Sequence, residues 1–250
     1  MLKENQKKEL IENGIIKIEN FLTDIELKKL TQIVKYYSAP KSSPNSYWPT
    51  KFHQIILKIL KLDFLRFKHS LEILNFEKEK KLIDYAKLAF NGKKTYLNYV
   101  DAYLSKKSKK NIIPWHTDQA YHGHENPQKY VDPNSYFIKV FIYLTDVTSK
   151  NGCMSYIPGS HKVGYAIRKG IYEGKIKYKP YWNLRDSRDL VLKNKEYFKN
   201  FFQDQFFIVQ NFLDKSEFIN KDDDTVQFDN NVKAGGALIF DEGGSHRGSS

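Results

Sequence analysis

The segment Pro114-Trp115-His116-Thr117-Asp118-Gln119 sets an imidazole and a carboxylate two residues apart. On an extended strand, side chains at that spacing leave the same face, so His116 and Asp118 can converge on one ion. A neutral imidazole and an ionised carboxylate, completed by a second histidine, make the facial triad of non-haem Fe(II) oxygenases, with open positions opposite the protein ligands. The same donors accept Mn, Co or Zn. Short motifs recur by chance, so the third ligand decides the reading. Besides His116 the candidates are His53, His69, His122, His124, His161 and His246. His246 has the favourable setting. It follows Lys233–Ser245, a strand candidate ending in a glycine-rich bend, where backbone can pass close to a ligand. His53 and His69 stand among apolar residues in helical context and read as structural or surface histidines. The single cysteine, Cys153, excludes a cysteine-cluster metal site and an internal disulfide framework.

These residues must be carried by a scaffold. Residues 3–12 predict a short helix stopped at Gly14, and Ile15-Ile16-Lys17-Ile18 a strand. Thr23 with Glu26 forms a capping box ahead of Leu27, Leu30, Val34 and Tyr37 at helical spacing. The prolines and serines of 38–50 predict a loop, and 51–70 and 76–90 predict helices. Strands are expected over 94–104, 136–146, 153–157 and 232–240. In 136–146, Ile138, Val140, Ile142 and Leu144 alternate with Phe137, Lys139, Phe141 and Tyr143. Residues 165–231 read as an insertion of helices and loops over one end of the sheet. Its acidic triplet Asp222-Asp223-Asp224 reads as a solvated turn. Helices followed by antiparallel-type strands predict an α+β or mostly-β layered fold.

Composition bounds the partners. With 250 residues, 40% of them hydrophobic and 15% aromatic, the chain can build a core. The net charge of +12 invites a polyanion reading, but only five of the 41 basic residues are arginine and the lysines are scattered. Such a field draws in an anionic small substrate equally well, so nucleic acid is not expected as the main partner. No apolar run approaches the length of a membrane span, and the first nine residues are too charged for a signal peptide. A cytoplasmic setting and no membrane partner are expected; oligomeric state is not legible.

The order of H-x-D, then Asn151-Gly152-Cys153-Met154-Ser155-Tyr156-Ile157-Pro158-Gly159-Ser160-His161-Lys162, then a glycine-rich strand and His246, resembles the phytanoyl-CoA dioxygenase family of Fe(II)/2-oxoglutarate-dependent oxygenases. Gly14–Leu22 is similar to that family's usual opening. The resemblance implies a double-stranded β-helix (a cupin-like jelly roll) core with flanking N-terminal helices. It implies His116, Asp118 and His246 as iron ligands and catalytic residues, and Fe(II) with 2-oxoglutarate as cofactor and co-substrate. It also implies hydroxylation of a small-molecule substrate with release of succinate and CO2. A carboxylate at 118 goes with hydroxylation, since halogenating relatives carry a small residue there. His161 matches a family histidine that is not a ligand and is expected to shape a turn with Pro158 and Gly159. Residues 120–124, with His122 and His124, are placed at the mouth of the site, and Tyr103 is a candidate hydrogen-bond donor to 2-oxoglutarate.

On this reading residues 1–250 are one oxygenase domain, with a helical flank over 1–92, core over 93–164 and 232–250, and insertion over 165–231. The family's 2-oxoglutarate-binding arginine lies about ten residues beyond the distal histidine. Ser250 comes first, so the natural chain is expected to continue. Arg247 is a poor substitute, because a strand neighbour of His246 points to the other face. Two rival readings remain open, an inactive jelly-roll binding module and a nucleic-acid-directed oxygenase.

Overall fold

Helix α1 (Glu4–Asn13) ends at Gly14, whose φ of 76° is left-handed and whose N–H bonds the Leu10 carbonyl at 2.9 Å. The structure is a computed structural model. It describes residues 4–37, 45–47, 64–80, 82–89, 94–95, 100–102, 113–118, 137–178, 182–223 and 225–248. The chain packs as two compact units, residues 1–2 with 22–106 and residues 3–21 with 107–250.

In the unit formed mainly by 22–106, the expected capping box is present. Thr23 N–H bonds Glu26 Oε2 at 2.7 Å, and Glu26 N–H returns to Thr23 Oγ1 at 3.3 Å, opening α2 (Asp24–Tyr37). Helix α3 (Phe64–Lys80) runs straight through residues 70–76, where sequence spacing suggested a break, and α4 (Leu82–Ala89) follows. Ile33 and Ile73 form a small core with Leu30, Val100 and Ala102. Asn45–Tyr47, expected as loop, is strand β2, paired antiparallel with β3 (Val100–Ala102). Cross-strand pairing overrides the local turn preference there. Residues 51–63 and the flanking prolines 40, 44 and 49 lie outside the described residues.

The other unit holds two antiparallel sheets. In the first, β8 (Ala237–Asp241) lies between β1 (Ile15–Ile18) and β5 (Ile138–Ile142). The second runs β4 (Ile113–His116), β9 (His246–Gly248), β6 (Met154–Tyr156), β7 (Asp229–Asn230). Ile15, Met154, Tyr156, Leu238 and Phe240 form a core shared by the sheets, with Phe141 and Tyr143 against it. The Phe137/Lys139/Phe141/Tyr143 side of β5 is therefore its inner side. The strand expected over 232–240 is interrupted. Val232 bridges to Val147, and a turn with Gly235 at φ 84° precedes β8. The strand expected over 136–146 is correspondingly short, because its partner β8 begins only at Ala237.

Helices α5 (Ser160–Tyr172), α6 (Leu184–Lys193), α7 (Lys195–Phe202) and α8 (Phe207–Lys215) form a layer with its own core, including Trp182, Phe198 and Phe212. Trp115 from the second sheet and Ile157, just past β6, join that core. The segment between the strands is thus a packed helical layer, and it begins at Ser160 rather than 165. Its link to the sheet is direct. Asn183, the N-cap of α6, forms an isolated antiparallel bridge with His116, and Thr117 N–H bonds the Trp182 carbonyl at 3.3 Å.

Candidate functional site

Strand pairing brings the two histidines together. In the antiparallel β4–β9 pair, His116 stands opposite His246, and their ring centroids are 4.4 Å apart. Directly opposed residues project from the same face. Their neighbours Trp115 and Arg247 project from the other face, with the guanidinium 5.2 Å from the indole centre. Arg247 is fully engaged there. Its Nε donates to Ser155 Oγ at 3.0 Å and its Nη2 to the Thr225 carbonyl at 2.8 Å, and it pairs with buried Asp229 at 3.4 Å. The expectation that Arg247 faces away from the site holds.

Asp118 reaches the histidines differently from the way its spacing suggested. Strand β4 ends at His116, and Asp118 sits in a turn just beyond, its N–H bonded to the Glu242 carbonyl at 3.2 Å. The contact between chain segments, not strand alternation, turns its carboxylate back. Oδ1 lies 3.3 Å from His116 Nε2 and Oδ2 lies 3.2 Å from His246 Nε2. One ligand atom from each of the three residues falls within 4.8 Å of the others, the only such group of His, Cys, Asp or Glu among the described residues.

The imidazoles are oriented for a cation. His116 Nδ1 is 2.7 Å from the Pro114 carbonyl and His246 Nδ1 is 2.9 Å from the Gly244 carbonyl. A carbonyl only accepts, so each Nδ1 carries the proton and each neutral ring presents the Nε2 lone pair to the site. Two lone pairs then face an acceptor-only carboxylate. Without a positive charge between them that arrangement is repulsive; with one, all three groups are satisfied. The donor set therefore fits a divalent metal with nitrogen and oxygen preference. Burial pushes the Asp118 carboxyl up, and the Lys139 ammonium beside its Oδ2 draws it down.

The Ile157–Lys162 stretch explains how His246 is held. Ile157 N–H bonds the Ser245 carbonyl at 3.0 Å, and Ser245 N–H donates to Ser160 Oγ at 2.8 Å. The residue before His246 is thus clamped on both sides by the turn into α5. The bend between β8 and β9 is closely packed at its glycines. A Cβ on Gly244 would meet the Tyr156 hydroxyl at 1.9 Å, and one on Gly164 of α5 would meet the Gly243 carbonyl at 2.2 Å. His161 is not at the metal group. It is the second residue of α5 and donates from Nε2 to the Ile11 carbonyl at 3.2 Å, tying α5 to α1. His69 lies in α3, in the other unit. Tyr103, His53, His122 and His124 lie outside the described residues.

Two groups at the site were not singled out from the sequence. Lys139 Nζ is 2.5 Å from Asp118 Oδ2 and 3.6 Å from Glu242 Oε2. Glu242 is buried, and its Oε1 has no hydrogen-bond partner among the described residues. Burial, with the Asp118 and Asp241 charges, raises its carboxyl to about 7 against the pull of Lys139. The signal for Lys139 was its phase, one charge in a row of inward aromatics. Glu242 had none, because its position depends on where β8 ends.

The sequence profile of the phytanoyl-CoA dioxygenase family matches residues 10–249. No curated protein matches the chain. Among solved structures, EvdO2 from Micromonospora carbonacea var. aurantiaca superposes with a TM-score of 0.51 at 13% identity, over 100% of this chain and 84% of that one. The same protein complexed with 2-oxoglutarate gives 0.50 at 13% identity, with the same coverage. At this identity the likeness speaks for the fold.

Proposed function

Since the chain belongs to the phytanoyl-CoA dioxygenase family, we propose that it is an Fe(II)/2-oxoglutarate-dependent oxygenase that hydroxylates a small-molecule substrate in the cytoplasm. His116, Asp118 and His246 hold the iron in this reading. The observation that carries it is the convergence of two Nε2 lone pairs and one carboxylate on a single point. The two sheets with their shared core are read as the family's double-stranded β-helix, and the two units as parts of one oxygenase.

When bound, iron and 2-oxoglutarate supply the oxidising chemistry, in which O2 and the 2-oxo acid are consumed, succinate and CO2 leave, and a substrate C–H bond gains oxygen. The chain's own work is positional. The Pro114 and Gly244 carbonyls fix the tautomer and ring plane of the two histidines. The clamp from Ile157 and Ser160 holds the backbone ahead of His246. Trp115 and Arg247 pack on the face of the sheet behind the ligands, and Phe141 packs on Phe240 on the inner side of β5 and β8.

Purified chain loaded anaerobically with Fe(II) is expected to bind one ion and, under air, to turn 2-oxoglutarate into succinate even without its proper substrate. Asp118→Ala removes the only negatively charged member of the group and is expected to abolish both. Full succinate formation by that variant rejects the assignment. Stoichiometric binding of ion and 2-oxoglutarate with no succinate formed would instead make the chain a binding module.

A further inference from the structure

Lys139 is the second residue of β5, opposite Phe240 of β8 in the register. Its neighbour on the same side, Phe141, packs against Phe240 with centroids 5.0 Å apart. Placing an ammonium in such a row is costly unless it is paired. Here two carboxylates pair it, Asp118 at 2.5 Å and Glu242 at 3.6 Å. The oxygen it touches is Asp118 Oδ2, the same atom that lies 3.2 Å from His246 Nε2. One carboxylate oxygen is therefore shared between Lys139 and the point where the three metal-ligating atoms converge.

Metal–oxygen bonds of about 2 Å put an ion held by Asp118 within about 4–5 Å of the Lys139 ammonium. Two positive centres that close repel through their shared oxygen. An ion arriving on Asp118 weakens the hold of that carboxylate on Lys139 and leaves the ammonium with Glu242, beside the ion's coordination shell. Any anion that coordinates the ion on that side meets the ammonium as well.

Resting on the proposed function, we propose that Lys139 binds the metal-coordinating carboxylate of the 2-oxo acid, and that before the metal arrives it occupies the metal's place on Asp118. Glu242 keeps the ammonium at the rim of the site in both states. Lys139 then has two opposed effects. It competes with the metal and recruits the co-substrate. A residue that merely fills space would do neither.

The test is calorimetric and needs no turnover. The full chain is titrated with Mn(II), and the Mn(II)-loaded protein is then titrated with 2-oxoglutarate and with the monoacid 2-oxobutyrate. Lys139→Gln is expected to bind Mn(II) about tenfold more tightly, because a positive charge beside the ion is gone. It is expected to bind 2-oxoglutarate about tenfold to a hundredfold more weakly, the loss of one charge-assisted hydrogen bond. 2-Oxobutyrate should weaken by the same factor, and Lys139→Arg should retain most of the affinity for both. Lys139→Met, close in volume, replaces the Gln variant should that one fail to fold. Unchanged 2-oxo acid affinity in the Gln or Met variant overturns the proposal. So does a loss seen with 2-oxoglutarate but not with 2-oxobutyrate, which would move the contact to the distal carboxylate. Wild-type protein that binds Mn(II) but neither 2-oxo acid overturns the functional reading together with this one, and a wild type that binds both while the variants do not differ overturns this one alone.

Discussion

Removing one hydroxyl, by Ser160→Ala, tests whether the turn into α5 builds the metal site. Ser160 Oγ accepts the Ser245 N–H at 2.8 Å and donates to the Ile157 carbonyl at 2.7 Å, and both serines are about 2% exposed. Alanine leaves the Ser245 N–H buried and unpaired, which costs about 1–3 kcal/mol. Taking about 2 kcal/mol, and about 2–4 °C per kcal/mol for a chain of this size, the midpoint of thermal unfolding should fall by about 4–8 °C. The same N–H belongs to the Gly244–Ser245 peptide, whose carbonyl orients His246 Nδ1. Loosening that peptide should cost about tenfold in metal affinity, the lower end of what outer-shell partners contribute. Differential scanning fluorimetry of the metal-free chain and calorimetric Mn(II) titration read the two effects separately. The exposed Thr145→Ala serves as control and should move neither. A Ser160→Ala protein that melts within 1 °C of wild type (on the scale of about 2–4 °C per kcal/mol) and binds Mn(II) equally well refutes the clamp.

Arg247→Ala strips the ion-pair partner of the buried Asp229 carboxylate, and the chain should lose about 3–5 kcal/mol in urea unfolding; a loss under 1 kcal/mol (the scale of an exposed pair) would show that the pair is solvated. Thr23→Ala removes the N-cap of α2 and should cost about 1 kcal/mol, measured the same way. Burial pushes the Glu26 carboxyl up, yet its bonds to the Thr23 backbone and hydroxyl and to Lys80 outweigh that and hold it below its ordinary 4.5. A depressed folded value means the contribution is present above pH 4.5 and is lost as the pH falls through the folded value. The stability gap between wild type and Glu26→Gln should therefore narrow in acid, and a gap constant from neutral to acid pH would contradict the assignment.

Local features were legible where local chemistry decides them. Gly14 stops α1 because only its backbone tolerates the turn, and the Thr23/Glu26 box opens α2 because its hydrogen bonds span three residues. Sequence reading missed β2 because Asn45–Tyr47 has no strand character of its own and is a strand only opposite Val100–Ala102. It started the helical layer too late because Pro158 and Gly159 look like a loop, whereas they form the turn that launches α5 at Ser160.

The site divides along the same line. Which residues could bind a metal was written in the chain, since only certain side chains donate the right atoms, and His116, Asp118 and His246 are among them. Where those atoms point was not. The β4–β9 register sets His116 against His246, a contact with Glu242 turns Asp118 back, and two backbone carbonyls choose the tautomers. Lys139 and Glu242 entered only through packing, because β5 and β8 are about a hundred residues apart in sequence and neighbours only in the folded sheet. Donor chemistry is a property of single side chains, but convergence is a property of strands that pair at long range, and that pairing is set by the fold as a whole.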